Sequence, residues 1–352
     1  MATINDSTPY STNQNNTTTI SGKTFSTFNL NSDIISDIKQ IVTEAVWSNG
    51  QGTLTTFATQ STQPSTKYYL DVYDSDPNIY ETAEQQFSVV YGNYDGKGAA
   101  VVNLDGNDLS LTPTKAIYSQ YRNILLPSTS NKFTINGNSI DDFLAINFYR
   151  ARIKERLDPG NWELKLINSD TFTFIDDSTE TTTKVISEGG SSYNIVSGSL
   201  ANGVYKVASA SVIVGTIFPD HGILLFGGDL METYGGVTIS RNINTDDNNH
   251  ISFYEDIKKG ESFKARNNQT ITSTFYFVRV FNNEYNFTNN PSFMTGSIGD
   301  MRNMDMVNDP KVYISTVGLY NEFNELLAVA KLSQPYLKTF QREALIKIKL
   351  DW

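Results

Sequence analysis

The chain has 352 residues and no cysteine, which excludes disulfides, Cys-ligated zinc and thiol nucleophiles and leaves room for two or three domains. Its 38 Asp and Glu against 27 Lys and Arg give a formal net charge of -11, which argues against general nucleic-acid binding, because that needs a basic face to release counterions. No stretch approaches the roughly 18 consecutive apolar residues of a membrane span, and residues 1–20 lack the basic start and apolar run of a secretory signal, so a cytoplasmic origin is the default expectation.

The 19 Tyr and 20 Phe, against 3 Trp, favour strands when combined with many Thr, Val and Ile. Residues 2–30 are rich in Asn, Thr and Ser and show no sustained periodicity. Such a stretch is either disordered or an arm that orders against a neighbour, with Phe25, Phe28 and Leu30 as its apolar end. Asp33 to Trp47 reads as a helix, because Ile34, Ile38 and Ile41 recur at helical spacing and Asn49-Gly50-Gln51-Gly52 would stop it.

Strand text follows over Lys67 to Val72 and Glu84 to Tyr91, with a long loop over residues 93–108 that could hold a short strand at 99–102. Thr112-Pro113 opens a second helix, with Ile117, Tyr121, Ile124 and Leu125 on its apolar face. Asp142 to Arg150 and Trp162 to Ile167 read as buried strands on either side of the turn Asp158-Pro159-Gly160-Asn161. Residues 168–203 read as polar hairpins, and 205–218 and 223–226 as apolar strands. Arg241 to His250 is a polar loop in this reading.

Gln269 to Phe281 is strongly β, and its run Phe275-Tyr276-Phe277-Val278 predicts a sheet covered on both faces. Lys311 to Tyr320 and Glu325 to Leu332 form a predicted hairpin about Asn321-Glu322-Phe323-Asn324. At the end, Ile346, Ile348, Leu350 and Trp352 alternate with Lys347, Lys349 and Asp351, a strand with one apolar face.

The sequence carries no complete catalytic or metal-binding motif. There is no G-x-S-x-G elbow and no H-E-x-x-H. Gly92 to Gly98 approaches a phosphate loop but is one residue short between its glycines and has Gly98 where Ser or Thr should sit. Asp74, Asp76 and Asn78 begin like a calcium loop, yet Ile79 replaces the required Gly. His221 and His250 are the two histidines, and neither has a partner at metal-ligand spacing. The adjacent carboxylates Asp141-Asp142, Asp176-Asp177, Asp246-Asp247 and Glu255-Asp256 read for the most part as solvated turns, since adjacency does not set the spatial separation that acid–base pairs need. The expectation is therefore no catalytic residue, no metal and no cofactor, and no nucleic-acid or membrane partner.

Two basic stretches remain. Arg150, Arg152, Lys154 and Arg156 fit either an ion-pair network at a subunit contact or a strand edge guarded by charge. Lys331, Lys338, Arg342, Lys347 and Lys349 form the second, candidates for docking on acidic neighbours in a net acidic chain.

Four segments carry a resemblance: residues 112–121 (TPTKAIYSQY), 150–164 (RARIKERLDPGNWEL), 275–287 (FYFVRVFNNEYNF) and 309–352, with GLYNEFNELLAVAKL and the closing REALIKIKL. Together they resemble virion structural proteins of contractile-tailed phages, many of them marine, over about residues 80–165 and 205–352. The resemblance implies an assembly role in the tail, baseplate or neck, with other virion proteins and copies of itself as partners, and carries no active site. It leaves 1–30 and 168–200 uncovered.

The expected fold class is mainly β, α+β, with antiparallel sandwich-like sheets and two short helices on the N-terminal side. The expected divisions are an arm (1–30), an α+β domain (31–165), a polar hairpin region (166–204) and a β-rich domain (205–352). Candidate interaction residues are Phe25, Phe28, Arg150, Arg152, Arg156, Lys338, Phe340, Arg342 and Trp352. A second reading, a receptor- or glycan-binding module at the particle surface, rests on the Tyr-, Asn- and Asp-rich loops 91–110 and 241–250.

Overall fold

The structure, a computed structural model, describes residues 2–3, 17–20, 23–27, 34–46, 58–59, 68–102, 111–168, 170–180, 185–187, 189–201, 204–207, 212–260, 262–286, 291–321 and 323–351. Its strands begin with β1 (Ala2–Thr3), β2 (Thr17–Ile20), β3 (Lys23–Thr27), β4 (Ile34–Ala45), β5 (Ala58–Thr59), β6 (Tyr69–Tyr73) and β7 (Gln85–Asn93). After helix α1 (Pro113–Leu125) come β8 (Thr134–Ile135), β9 (Asn138–Ser139), β10 (Asp142–Phe148), the short α2 (Arg150–Ile153) and β11 (Arg156–Ile167). Then follow β12 (Thr171–Asp176), β13 (Val185–Ser187), β14 (Gly190–Ala201), β15 (Val204–Val207), β16 (Ile213–Phe218) and β17 (Ile223–Gly227). Helices α3 (Gly228–Gly235) and α4 (Asn249–Lys259) precede the long β18 (Ser262–Val280). The chain continues with β19 (Met294–Thr295), β20 (Asp300–Met301), α5 (Asp305–Asn308), β21 (Val312–Tyr320), β22 (Leu326–Lys338) and β23 (Ala344–Asp351). Among the described residues no helix is long and apolar enough to cross a membrane.

The fold is mainly β and antiparallel, as composition predicts. It divides into two compact units, residues 41–270 and residues 1–40 with 271–352. The sequence reading divides the chain near 165 and 205, and the structure draws the boundary elsewhere. The reason is pairing: β10 lies between β7 and β17, and β12 and β14 lie between β11 and β16, so strands from both sides of that division alternate in one sheet.

Unit 41–270 is built on the strand order β11-β12-β14-β16-β17-β10-β7-β6-β5, with every neighbouring pair antiparallel. Successive residues of β10 serve opposite faces. Leu144 and Ile146 join one core with Phe87, Trp162, Leu224 and Phe253. Phe143 and Ala145 join a second core under α1, with Tyr118, Leu125 and Leu225. The sheet also curls. Phe263, at the start of β18, meets the rings of Phe87 (5.5 Å) and Phe148 (5.6 Å) across the first core. Each such large side chain, fully buried, contributes about 2–3 kcal/mol.

Two local readings change. The predicted helix over Asp33 to Trp47 is the strand β4. Ile34 and Ile38 are four apart, which is also a multiple of the strand period, whereas the step of three from Ile38 to Ile41 suits a helix alone and misleads. The β-branched Ile34, Ile35, Ile38, Ile41, Val42 and Thr43 decide it, because their stiff χ1 suits a pleated surface better than a helical turn. Val46, just beyond, is buried in the first core. The turn predicted at 158–161 lies inside β11 as a bulge. The pairing jumps from Leu157↔Asn267 to Trp162↔Ala265, and Gly160 takes φ +75° to make it.

The second helix forms as predicted, with Pro113 in its first turn, though Thr112 makes no side-chain capping bond, and on its predicted apolar face Ile124 is exposed while Tyr118 is buried beside Leu125. Residues 99–102 form no strand. Helix α4 starts at Asn249, within the stretch read as loop, and α3 has no counterpart in the sequence reading.

In the unit of residues 1–40 and 271–352, β21 and β22 form the predicted hairpin. Its turn is held by Asn321, whose N–H donates to the Glu325 carbonyl at 3.1 Å and whose Oδ1 accepts the Phe323 and Glu325 amides at 3.0 and 2.8 Å. Val317, Leu319, Ala328 and Ala330 pack on Tyr276, Val278, Ile346 and Ile348 of the β18–β23 pair. This small two-layer core is what the closing alternation predicts: Ile348 is buried, Ile346 and Leu350 half-buried, Lys347 and Lys349 exposed.

Candidate interaction surface

The inner faces of these two strand pairs bury apolar side chains; the outer faces do not match the expectation of cover. Phe275 and Phe277, on the outer face of β18, are half-buried. Their opposites on β23 are Lys349 and Lys347. The Lys347 ammonium lies 4.0 Å from the Phe275 ring centre, so a lysine stem and a cation–π contact do part of the covering. On the hairpin, Leu327 and Val329 are 63% and 58% exposed and Phe323 at the turn 75%. Leu326, Leu345 and Tyr313 are exposed as well. Leu326, Leu327 and Val329 follow closely along β22, and exposed apolar side chains grouped in this way mark association.

Lys338 ends β22 and is 0% exposed. Its ammonium donates to the carbonyls of Asn282 (2.8 Å) and Thr339 (3.2 Å) and to Asn286 Oδ1 (3.0 Å). Burial lowers its pKa, while the Glu284 and Glu343 carboxylates pull the other way. Lys338 therefore pins the 282–286 turn from inside. Lys338→Met should cost about 1–3 kcal/mol in a urea melt, because three oxygens lose their donor. Lys338→Arg should not restore it, since a larger planar head would have to fit a site that is 0% exposed. Nearby, Phe340 (52% exposed) and Arg342 face solvent. The Phe25 side chain, Phe28 and Trp352 lie outside the described residues.

The first basic stretch is engaged within its own chain. Arg152 pairs with Glu84 and Lys154 with Glu44. Arg150 donates to the Asp220 carbonyl at 3.1 Å, and Glu155 accepts the Thr270 amide at 2.7 Å. Arg156 opens β11 opposite Asn268. These charges stitch α2 and the start of β11 to their neighbours.

Asp246-Asp247 lies in an exposed loop, and Asp141 and Glu255 are exposed, but the other acids of these pairs are not solvated. Asp142, Asp176, Asp177 and Asp256 are buried. Asp142 accepts Arg241 Nε (2.7 Å) and the Tyr91 hydroxyl (3.0 Å), while Arg241 also reaches Glu232 (2.7 Å) and Asp229 (2.8 Å). Gly228 makes room: a Cβ there would fall 2.3 Å from the Asp142 carboxylate. Burial raises the Asp142 pKa against the pull of Arg241 and Tyr91. Burial also opposes the Arg241 charge, but Asp142 and Glu232 outweigh it and hold the guanidinium above its ordinary pKa.

The motif-like loops are self-satisfied. Asn93 Oδ1 accepts the amides of Asp95 (3.0 Å) and Lys97 (3.1 Å), filling the place a phosphate would take. Asp76 Oδ1 accepts the amide and side chain of Asn78, both at 2.9 Å. The two polar loops singled out for sugars meet each other. Gly98 donates to the Asn242 carbonyl (2.9 Å), Ala100 to Asp246 (2.8 Å) and Val101 to Asn244 (2.8 Å). Among the described residues no group of His, Asp and Glu is placed to hold a metal ion.

His221 is exposed in the turn after β16, and His250 is buried in α4. Burial lowers the His250 pKa to about 4, against the opposing charge of Asp246. The neutral ring therefore stabilises the fold above its ordinary pKa of 6.5. As pH falls from there towards about 4, the unfolded chain takes the proton first and that contribution, about 3 kcal/mol, is lost. A ring-proton NMR titration should find His250 unchanged from about pH 5 to 8.

Compared with known proteins, the chain matches no protein-family model, no curated protein and no solved structure.

Proposed function

We propose that the chain is a non-catalytic structural protein of a phage particle, assembling in the tail, baseplate or neck through contacts with copies of itself and other virion proteins. The observation that carries this reading is the set of exposed apolar side chains on the hairpin β21–β22, Tyr313, Phe323, Leu326, Leu327 and Val329, which falls within the segment 309–352 that carries the resemblance. The polar clusters support it from the other side. The buried carboxylates and the loops 93–101 and 240–247 direct their polar groups at one another, as a brace does. That same closure disfavours the glycan-binding alternative, which needs such groups turned outward.

The test is the solution mass of the purified chain by light scattering, with and without residues 1–30. An oligomer that weakens without those residues supports assembly with the N-terminal stretch as an arm. One 39.3 kDa species in both preparations, at all concentrations, removes self-association. A glycan array then decides the alternative.

A further inference from the structure

We propose that the chain assembles head to tail: the tip of the loop between β6 and β7 in one copy docks on the outer face of the β18–β23 pair in the next. The inference rests on the assembly reading above and names its contact. The loop, residues 74–84, is ordered from within. The Asp74 amide donates to the Glu84 carbonyl (3.1 Å), the Tyr80 amide to the Asp76 carbonyl (2.9 Å) and the Ala83 amide to the Tyr80 carbonyl (3.1 Å), while Asp74 Oδ1 accepts the Glu84 amide (2.9 Å). Pro77 stiffens it further. Yet this ordered loop leaves Ile79 70% and Tyr80 55% exposed at neighbouring positions. Large apolar side chains held out on a preorganised turn suit the anchor of a contact, because little freedom remains to be lost when they are covered.

Charge selects what covers them. Between Lys67 and Lys97 the chain has six acids, Asp71, Asp74, Asp76, Glu81, Glu84 and Asp95, and no Lys or Arg. Glu81, beside the tip, is exposed and makes no ion pair among the described residues. The complementary surface is on the same chain. The β18–β23 pairing runs without a register shift from Ser273↔Asp351 to Val280↔Ala344, so Phe275, Phe277 and Arg279 share the outer face with Leu345, Lys347 and Lys349. Arg279 and Leu345 lie opposite each other and are both exposed, and Arg279 makes no ion pair among the described residues. Phe277 lies next to them, half-buried, with the Lys347 ammonium 5.9 Å from its ring centre. An apolar tip with an acid beside it thus meets an apolar patch with bases beside it. The balance of charge favours the same pairing: residues 41–270 hold 27 Asp and Glu against 17 Lys and Arg, and the rest of the chain 11 against 10. Loop against loop would set acid on acid, and face against face base on base, so a second copy joins tip to face. Two different patches make the contact heterologous, the kind that builds rings or helical filaments.

Light scattering of the full chain over a range of concentrations reads the outcome. The wild type should exceed the mass of a pair, twice the 39.3 kDa of one chain. The double variant Ile79→Ser with Tyr80→Ser has a blunted tip and an intact face; Arg279→Glu with Leu345→Ser has the reverse. Each alone should weaken association on the order of tenfold or more. All four side chains are exposed, so urea melts of both variants should match wild type. Mixed in equal amounts, one variant supplies the tip and the other the face, so the mixture should stop at twice the single-chain mass. A monomeric wild type, an oligomer indifferent to both variants, or a mixture that stays monomeric overturns the proposal. Indifference to both leaves the assembly reading standing on another contact, and a monomeric wild type leaves it to other virion proteins.

Discussion

Arg241→Met is expected to destabilise the unit of residues 41–270 by about 3–5 kcal/mol, because it leaves the Asp142 carboxylate buried and uncompensated. Asp142 sits at the start of β10, Glu232 and Asp229 on α3, and Arg241 on the segment leading to α4, so one guanidinium ties three parts of the chain. The double variant Arg241→Met with Asp142→Asn should recover most of the loss, since a neutral amide can still accept the Tyr91 hydroxyl. The deficit also has a sign in pH. Burial raises the Asp142 pKa in the folded state, so between the ordinary carboxylate value and the raised one the native chain holds more protons than the unfolded chain. Stability from this group therefore falls as pH rises through that window. Without Arg241 the rise is larger, and the variant should lie closest to wild type in acid. Urea melts across pH measure both effects.

Asp176→Ala should cost about 3–5 kcal/mol as well, by a different route. Asp176 is buried at the end of β12 and has no cation partner among the described residues. Instead its carboxylate accepts Trp162 Nε1 at 2.6 Å, the Gly160 amide at 2.8 Å, the Ser178 amide at 3.0 Å and the Ser178 hydroxyl. Burial raises its pKa and these donors oppose the rise. The residue closes the bulge of β11 from beneath, so alanine orphans several buried donors and frees the loop 158–161. Asp176→Asn should be milder, since one oxygen still accepts while the amide nitrogen faces donors. Denaturation followed by Trp fluorescence reports the cost, and a red-shifted native emission would mark the exposure of Trp162.

The elements legible in the sequence were those whose period was unambiguous. The alternation through Ile346, Ile348 and Leu350, the hairpin about Asn321, and the buried run of β10 all follow from side-chain patterning. β4 was not legible by spacing, because the steps Ile34–Ile38–Ile41 follow a helical period, and the β-branching of these residues was the signal for a strand. The polar framework was the least legible. Asp142 and Asp176 look like surface acids because their partners, Arg241 and Trp162, lie elsewhere in the chain or across a bulge. Aspartate in sequence carries the price of burial nowhere; it shows once the donors converge. The division into units was hidden for the same reason, since antiparallel partners such as β10 and β17 are far apart along the chain. The exposed face of β22 was partly legible, as the strand and its hairpin were, but which face stays outward depends on the two-layer core.

As a structural protein of a phage particle, the proposed role, the chain would be present in stoichiometric amounts. Immunogold labelling of purified particles, with mass spectrometry of the same preparation, tests it most directly. Repeated copies per particle are expected, with label confined to the tail, baseplate or neck. A protein made during infection but missing from purified particles would contradict it.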